Sequence, residues 1–268
     1  MNKNSENIIG IVGGVGPYAG LDLMKKILEQ TAVTPGILVD QEHLTVVNFS
    51  APALVVDRTK FLTGETAVNP AVALFDQLIA LEAAGATVAA VPCNTAHARP
   101  IFGPLEMMME SSGSDLKLLN MLTCLSRHLR KHQPEIKRLG LLGTIGTYRA
   151  KVYETMMEPD GFEVIVPDEG LQTAVHAAIQ DPDYGIKAWG YGTDTACSML
   201  MEAIDNLQTK GIDAVILGCT ELPLALVEPF VNGVFTIGVP TIDPTMILAR
   251  ALIREAHPEK LKKWRVGE

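Results

Sequence analysis

Residues 87–95 read Thr-Val-Ala-Ala-Val-Pro-Cys-Asn-Thr, and residues 213–221 read Asp-Ala-Val-Ile-Leu-Gly-Cys-Thr-Glu. Each stretch is a short apolar run that leads into a cysteine, followed by turn-forming or cap-forming side chains. A helical pattern that ends in glycine precedes each, with LEAAG before the first and LQTKG before the second. This repetition predicts two similar α/β lobes, each presenting one cysteine, Cys93 or Cys219, at the carboxyl end of a strand. The alternative is one extended sheet with two unrelated cysteines.

The same alternation of strand and helix patterns runs along the whole chain. Nearly continuous apolar runs are typical of strands buried on both faces of a parallel sheet, and they cover residues 8–12, 44–49, 87–91, 139–142, 162–166, 213–217 and 233–237. Helical patterns cover residues 21–30, 72–84, 119–132, 148–157 and 195–210, with glycines 85, 161 and 211 at helix ends. The order predicts an α/β fold of two pseudo-symmetric lobes, each a mostly parallel sheet flanked by helices. Since ligands of open α/β sheets bind at the carboxyl ends of strands, we expect the active site in the cleft between the lobes.

A turn-rich stretch at residues 111–116 predicts the boundary between the lobes. We expect residues 1–115 plus 241–268 to form the first lobe, which carries Cys93, and residues 116–240 to form the second, which carries Cys219. In this division the chain crosses back near residues 239–243, and the last helix, at residues 244–256, packs on the first lobe.

Composition narrows the class of protein. The chain has 268 residues, 47% of them hydrophobic, and a formal net charge of -9, without a basic block that would attract a nucleic acid. No apolar run is long enough for a membrane span, and the N-terminus lacks the apolar core of a signal peptide, so we expect a cytoplasmic protein. The four cysteines show no CxxC spacing and are expected to be free thiols. Cys124 and Cys197 lie inside helical patterns, which favours a role as small buried apolar residues.

The two strand-end cysteines suggest a chemistry. Asn94 and Thr95 after Cys93 predict a helix N-cap, and a thiol at a helix N-terminus has a lowered pKa. Gly218 before Cys219 allows a ligand to approach the backbone closely, and Thr220 and Glu221 after it are again cap-type residues, which suggest the same lowered pKa for Cys219. Two thiols at opposed strand ends suit racemisation, in which one thiolate removes a proton from Cα and the opposite thiol returns one to the other face.

Five sequence blocks carry a family resemblance, namely residues 9–17 (IGIVGGVGP), 57–59 (DRT), 92–97 (PCNTAH), 142–147 (LGTIGT) and 218–223 (GCTELP). Together they resemble the motifs of aspartate racemases in the Asp/Glu/hydantoin racemase superfamily. The likeness runs from about residue 8 to about residue 250, with the blocks in the family's order and both cysteine blocks intact.

The resemblance implies a mechanism without pyridoxal phosphate or any other cofactor, and commonly a homodimer. It implies that Cys93 and Cys219 are the catalytic acid/base pair, and it assigns the remaining site residues as follows. Asn94, Thr95 and Thr220 would bind the α-carboxylate, Arg58 and Lys187 would hold a side-chain carboxylate, and Thr144 and Glu221 would be further substrate-binding residues. Fixed cations suit an acidic amino-acid substrate, and arginine offers a bidentate grip. The residues alone favour ordinary solvated charges for Arg58 and Lys187. The motif context reverses this for Arg58 and leaves both interpretations of Lys187 open.

Departures from the family pattern leave the substrate open. Relatives often carry GGMGPEA where residues 13–19 of this chain read GGVGPYA, so Val15 and Tyr18 are the two differences. The glutamate racemase branch favours a histidine after the second Cys-Thr pair, where this chain has Glu221. The comparison favours aspartate and leaves glutamate or a broader set of amino acids open.

The turn at Gly14, Val15 and Gly16 has two readings. It fits a relaxed dinucleotide-binding fingerprint, but Pro17 lies inside the loop and no acidic residue ends the second strand near Asn48. The favoured interpretation is a nest of backbone amides that binds a carboxylate of the substrate.

Three histidines are candidates for other roles. His128 and His132 are one helical turn apart among basic residues, and we expect no metal site there. His97 either orients the Cys93 thiol or caps a helix.

Other functions remain open from the sequence. A hydantoin racemase, a maleate-type isomerase or a one-thiol decarboxylase would keep the superfamily and change the reaction. A two-lobed amino-acid-binding module without turnover would keep the fold alone.

Overall fold

The computed structural model of the chain describes residues 7–33, 40–226 and 237–263. Its strands, in chain order, are β1 (Ile8–Gly13), β2 (Val46–Ser50), β3 (Ala86–Ala90), β4 (Lys117–Leu119), β5 (Arg138–Leu142), β6 (Glu163–Ile165), β7 (Ala214–Leu217) and β8 (Thr241–Ile242). They form two four-stranded sheets with the orders β2-β1-β3-β4 and β6-β5-β7-β8. All pairs are parallel, and the second sheet repeats the strand order of the first. The predicted α/β fold with two similar parallel sheets is confirmed, and a single extended sheet is wrong.

The apolar runs identified the central strands because these strands are covered on both faces. Ile9, Ile11 and Val12 of β1 are fully buried, as are all four residues of β7. Two short edge strands, β4 and β8, were not predicted, since two or three residues carry too little pattern to be recognised. The strand predicted at residues 233–237 lies almost wholly outside the described residues.

The helices surround both sheets. In chain order they are α1 (Pro17–Gln30), α2 (Arg58–Leu62), α3 (Ala71–Ala83), α4 (Arg99–Ser112), α5 (Met121–His132), α6 (Ile145–Arg149), α7 (Val152–Met157), α8 (Glu169–Gln180), α9 (Ile186–Trp189), α10 (Asp194–Thr209), α11 (Pro223–Leu226) and α12 (Pro244–Ala256). Gly85, Gly161 and Gly211 follow helical segments with φ of 93°, 89° and 72°, as the glycine positions predicted. The single helix predicted at residues 148–157 is instead two helices, because Lys151 adopts a left-handed conformation with φ of 47°.

Helix α4 was not predicted, because its sequence contains two prolines. Pro100 stands in the first turn, where its missing N–H costs nothing. Pro104 lies in the interior and cannot donate to the carbonyl of Pro100, which instead accepts a hydrogen bond of 3.0 Å from Nδ2 of Asn69. The helix continues through Ser112 and ends at Gly113, with φ of 70°, so the turn expected from residue 111 starts later than predicted.

The last helix returns to the first sheet. Leu248 and Leu252 of α12 pack in one apolar cluster with Ile9, Ile11 and Leu23. The bounds of α12 agree with the predicted helix at residues 244–256. The division of the chain into lobes at residues 115 and 240 stays a prediction. Within the described ranges, the helices lack the combination of length and apolar character that crossing a bilayer demands.

Candidate active site

The two strand-end cysteines occupy equivalent places in the two sheets. Cys93 comes shortly after β3 and Cys219 shortly after β7, and each of these strands is third in the order of its sheet. Both thiols are buried, each residue being 6% exposed. Both line the same cleft, which is narrow and partly open to solvent.

The cleft gathers residues from both halves of the chain. Its lining consists of Val15, Asp57, Arg58, Thr59, Cys93, Asn94, Thr95, Thr144, Gln180, Lys187, Cys219, Thr220 and Glu221. Every predicted site residue is in this set except Gly14 and Gly16. The sequence did not single out Asp57, Thr59 or Gln180; the first two were within reach because they flank Arg58 in the DRT block, whereas nothing around Gln180 marks it.

The turn after β1 approaches the cleft in a different way from the one expected. Gly14 has φ of 79° and packs against the backbone at Ala51 and Pro52. Gly16 has φ of 107°, and a Cβ there would lie 2.3 Å from Oε1 of Glu221, so only glycine permits this approach. The carboxylate next to this turn is therefore the protein's own Glu221, and Val15 is the residue that lines the cleft.

The segment after Cys93 is a single 3₁₀ turn, Thr95–His97, and not the start of an α-helix. Asn94 has helical backbone angles and makes no capping hydrogen bond, so the predicted N-cap is wrong. A tertiary contact replaces it, because Oδ1 of Asn94 accepts a hydrogen bond of 2.5 Å from the hydroxyl of Tyr153.

His97 has a structural role. Its Nδ1 lies 2.8 Å from the carbonyl oxygen of Cys93, and its Nε2 accepts from the backbone N–H of Met121 at 3.1 Å. This arrangement fixes the tautomer with the proton on Nδ1. Complete burial lowers the pKa of His97 to about 4, so the ring is neutral and ties the Cys93 loop to the first residue of α5.

Cys219 is held as a thiol by its surroundings. Its Sγ donates to Oε2 of Glu221 at 3.0 Å, and Thr220 donates to the same oxygen at 3.2 Å. Burial, followed by the negative charge of Glu221, raises the pKa of Cys219 well above its ordinary value. The cap-type residues after Cys219 suggested a pKa lowered by a helix N-terminus. The pKa of Cys219 is instead raised, so this prediction is wrong.

Two cations face this region of the cleft. Lys187 lies 3.9 Å from Oε1 of Glu221, and although burial lowers its pKa, the charges of Glu221 and Cys219 raise it above the ordinary value. Arg58 is buried; burial lowers its pKa, but the nearby charges of Cys93 and Asp57 raise it above the ordinary value. Both side chains are thus cationic at neutral pH. Nε of Arg58 has no hydrogen-bond partner among the described residues.

Three threonine hydroxyls connect the Cys93 loop to the second sheet. Thr95, in the loop after Cys93, lies 3.2 Å from Thr144 and 3.1 Å from Thr147, both of which follow β5 of the second sheet. Thr144 and Thr147 are themselves 3.1 Å apart. Thr147 is fully buried and is the last residue of the LGTIGT block, but this contact was not predicted.

Two parallel α/β lobes of the same strand order, with a cysteine loop from each lining one cleft, define a two-lobed protein of the amino-acid racemase class. Comparison with known sequences then gives the family. The chain belongs to the Asp/Glu/Hydantoin racemase family, whose sequence profile matches residues 12–252. It is therefore a racemase of that family, while its substrate is a separate question.

Individual relatives are distant in sequence. The broad specificity amino-acid racemase RacX of Bacillus subtilis is 23% identical over 250 residues, which cover 92% of this chain and 96% of that protein. An aspartate racemase of Picrophilus torridus has a structure similar to this one, with a TM-score of 0.74, 25% identity and 96% of each chain covered. An uncharacterized protein of Pectobacterium carotovorum is 36% identical over 89 residues, so the match spans only 33% of this chain and 55% of that protein.

Proposed function

We propose that this chain racemises an acidic amino acid, aspartate foremost, with Cys93 and Cys219 as the two acid/base groups and without a cofactor. The observation that carries the proposal is the composition of one cleft, which holds two thiols from separate sheets together with one buried cation, Arg58, and one half-buried cation, Lys187. Glutamate is the second candidate substrate, and a broad set of amino acids is the third.

The protonation state of Cys219 suggests how one direction of the reaction begins. We assign the role of proton donor in this direction to Cys219, because it holds its proton in the resting protein. The second cysteine, Cys93, is then the base. The Cα–H bond breaks, its electron pair delocalises into the α-carboxylate, and the proton moves to the sulfur of Cys93. The S–H bond of Cys219 then breaks as its proton goes to the opposite face of Cα. The product state has a Cys93 thiol and a Cys219 thiolate, which is the starting state for the reverse reaction.

The cleft offers separate groups for the two carboxylates of such a substrate. Donors near the cysteines, Asn94, Thr95 and Thr220, suit the α-carboxylate. Arg58 suits the side-chain carboxylate, because its Nε is a buried donor with no partner among the described residues, and an unmade buried hydrogen bond is costly until a ligand supplies it. Lys187 adds a second positive charge, partly offset by Glu221.

The similar proteins support a racemase and differ on the substrate. The structure of an aspartate racemase is similar to this one over nearly the whole chain, which favours aspartate. The full-length similarity to a broad specificity racemase keeps the wider substrate range as the alternative. The two cations of the cleft argue against the uncharged ring of a hydantoin, and the paired thiols argue against a decarboxylase or a binding module without turnover.

A substrate panel in deuterated water tests the proposal. Purified protein is incubated with each common L-amino acid, with a hydantoin and with maleate, and α-deuterium and D-enantiomer are measured by mass spectrometry and chiral chromatography. We expect the fastest exchange with aspartate. Exchange spread evenly over neutral amino acids would favour the broad-specificity alternative, and tight aspartate binding with no exchange would favour the binding module.

Substitution of Glu221 by glutamine should change the pH dependence. Burial is the main reason why the pKa of Cys219 is raised, and the Glu221 charge raises it further. Removing that charge lowers the pKa of Cys219, so the thiol is lost at a lower pH. We expect the alkaline limb of kcat/KM, in the direction that uses Cys219 as the acid, to move to lower pH.

Glu154→Gln is the matched control, because Glu154 is a partly buried carboxylate of α7 outside the cleft lining. Its pH profile should equal that of the wild type. An unchanged alkaline limb in Glu221→Gln would contradict the assignment of Cys219 as the acid.

The homodimer implied by the resemblance and the cytoplasmic location expected from the sequence also remain proposals. Light scattering coupled to size-exclusion chromatography gives the mass of the particle in solution. A mass near twice 28.9 kDa is expected.

A further inference from the structure

Tyr153 is a buried titratable residue that connects the two cysteine loops. It lies on α7, follows β5 of the second sheet, and is fully buried. Its hydroxyl donates to Oδ1 of Asn94, 59 positions earlier in the chain and next to Cys93. A methyl group on Gly218, next to Cys219, would lie 3.3 Å from Cε2 of the Tyr153 ring. One side chain thus contacts the neighbour of each cysteine.

The hydroxyl of Tyr153 can act only as a donor to Asn94 in this arrangement. Burial, followed by the charges of Cys219 and Asp243, raises the pKa of Tyr153 well above its ordinary value, so the phenol keeps its proton. A donated hydrogen bond needs an acceptor, and the amide oxygen of Asn94 supplies it. The amide nitrogen is thereby turned away from Tyr153.

The other half of the Asn94 amide is unused. Its nitrogen, Nδ2, has no hydrogen-bond partner among the described residues, and Asn94 is only 2% exposed, so water does not readily supply one. Asn94 lines the cleft. A buried amide nitrogen without a partner destabilises the protein, and a ligand with an acceptor oxygen would remove that cost.

We propose that Tyr153 is a positioning residue that fixes the orientation of the Asn94 amide, so that its NH₂ group donates to a carboxylate of the ligand in the cleft. The proposal rests on the proposed function for the identity of that ligand. Without Tyr153 the amide can rotate by half a turn and present its oxygen, which repels a carboxylate.

A double-mutant cycle tests whether Tyr153 acts through Asn94. The variants are Tyr153→Phe, Asn94→Ala and the double variant, and the readout is kcat and KM for α-proton exchange of aspartate in deuterated water. We expect Tyr153→Phe and Asn94→Ala each to lower kcat/KM about tenfold, mainly through KM. In the Asn94→Ala background, Tyr153→Phe should add less than about a twofold loss. Losses that multiply in the double variant would overturn the proposal.

Tyr148→Phe is the matched control for the loss of a buried hydroxyl. The Tyr148 hydroxyl bonds only backbone groups in the described residues, accepting from Gly143 at 2.8 Å and lying 3.4 Å from the carbonyl oxygen of Leu141. Its removal should lower stability without raising KM. A rise in KM equal to that of Tyr153→Phe would show a general packing effect and overturn the positioning role.

A second readout separates this proposal from the proposed function. If the wild type exchanges no amino acid, the racemase assignment fails, and the orientation of Asn94 is then measured directly by NMR. In protein labelled with ¹⁵N-asparagine, the Asn94 side-chain signal is identified by its loss in Asn94→Ala. We expect Tyr153→Phe to shift or broaden that signal while Tyr148→Phe leaves it in place, and an unshifted signal in Tyr153→Phe would overturn the proposal.

Discussion

Replacement of Cys219 by alanine is expected to slow racemisation by about a thousandfold while leaving exchange of the α-proton of one enantiomer. The Cys93 base remains and can still remove and return a proton on its own face of Cα, which exchanges the proton without inversion. Loss of a positioned acid/base group costs about 10²–10⁴-fold in rate, so inversion should fall by about a thousandfold. Deuterium incorporation and chiral analysis on the same samples separate exchange from inversion.

The variant Cys93→Ala should behave differently, because the remaining thiol is held protonated. Burial and Glu221 raise the pKa of Cys219, so at neutral pH it is a poor base and exchange of both enantiomers should be lost. At alkaline pH the thiolate of Cys219 forms, and exchange of the other enantiomer should return. This asymmetry distinguishes two thiols in unequal environments from two equivalent bases.

Cys197→Ala is the control, since Cys197 is buried in α10 and is not among the residues that line the cleft. Its racemisation rate should match the wild type. Exchange of both enantiomers that persisted in the double variant Cys93→Ala/Cys219→Ala would show that the bases are other groups.

The architecture was accessible from sequence because its cause is local. Strands such as β1 and β7 are covered on both faces, so their apolar runs are continuous. The cysteines that follow β3 and β7 could be paired by the repeated pattern. Most of the cleft residues lie in the five sequence blocks, whereas Gln180 and Lys187 do not. Elements with a weak local pattern were not predicted. Strand β8 has only two residues, and helix α4 contains Pro104.

The chemistry of individual groups was less accessible, because it depends on residues distant in the chain. Asn94 is a residue type that favours helix N-caps, yet its side-chain oxygen accepts a hydrogen bond from Tyr153, 59 positions later. Burial reverses the pKa direction that cap-type neighbours suggested for Cys219. Local propensity is overridden where a tertiary partner satisfies the same atom, and spacing along the chain does not reveal that partner.

A buried ion cluster around Lys26 also depends on residues distant in the chain. Disrupting it has the largest expected effect on stability. Lys26 of α1 forms ion pairs with Asp22 and Asp243, the latter at 2.6 Å, and donates to the hydroxyl of Thr245 at 2.7 Å. All four side chains are largely buried. Asp243 caps α12, so the cluster joins the first helix to the last one, 217 or more positions away.

Lys26→Ala should lower the free energy of unfolding by about 3–5 kcal/mol, because it leaves two carboxylates buried without their cation. Burial is the main cause of the raised pKa of Asp22, which Lys26 partly offsets, so removing Lys26 raises that pKa further. When the pKa of a carboxyl group is higher in the folded than in the unfolded state, the protein loses stability as the pH rises from the unfolded-state pKa to the folded-state pKa. The deficit of Lys26→Ala should therefore be larger at neutral pH than at acidic pH.

Urea unfolding of Lys117→Ala gives the comparison, because Lys117 pairs with Glu255 on the surface and should contribute about 0–1 kcal/mol. The neutral triple variant Asp22→Asn/Lys26→Met/Asp243→Asn should regain most of the loss, since asparagine still caps α12 and no charge is left unpaired. A deficit in Lys26→Ala no larger than that of Lys117→Ala would mean that water reaches the cluster and that apolar packing alone holds α12 against α1.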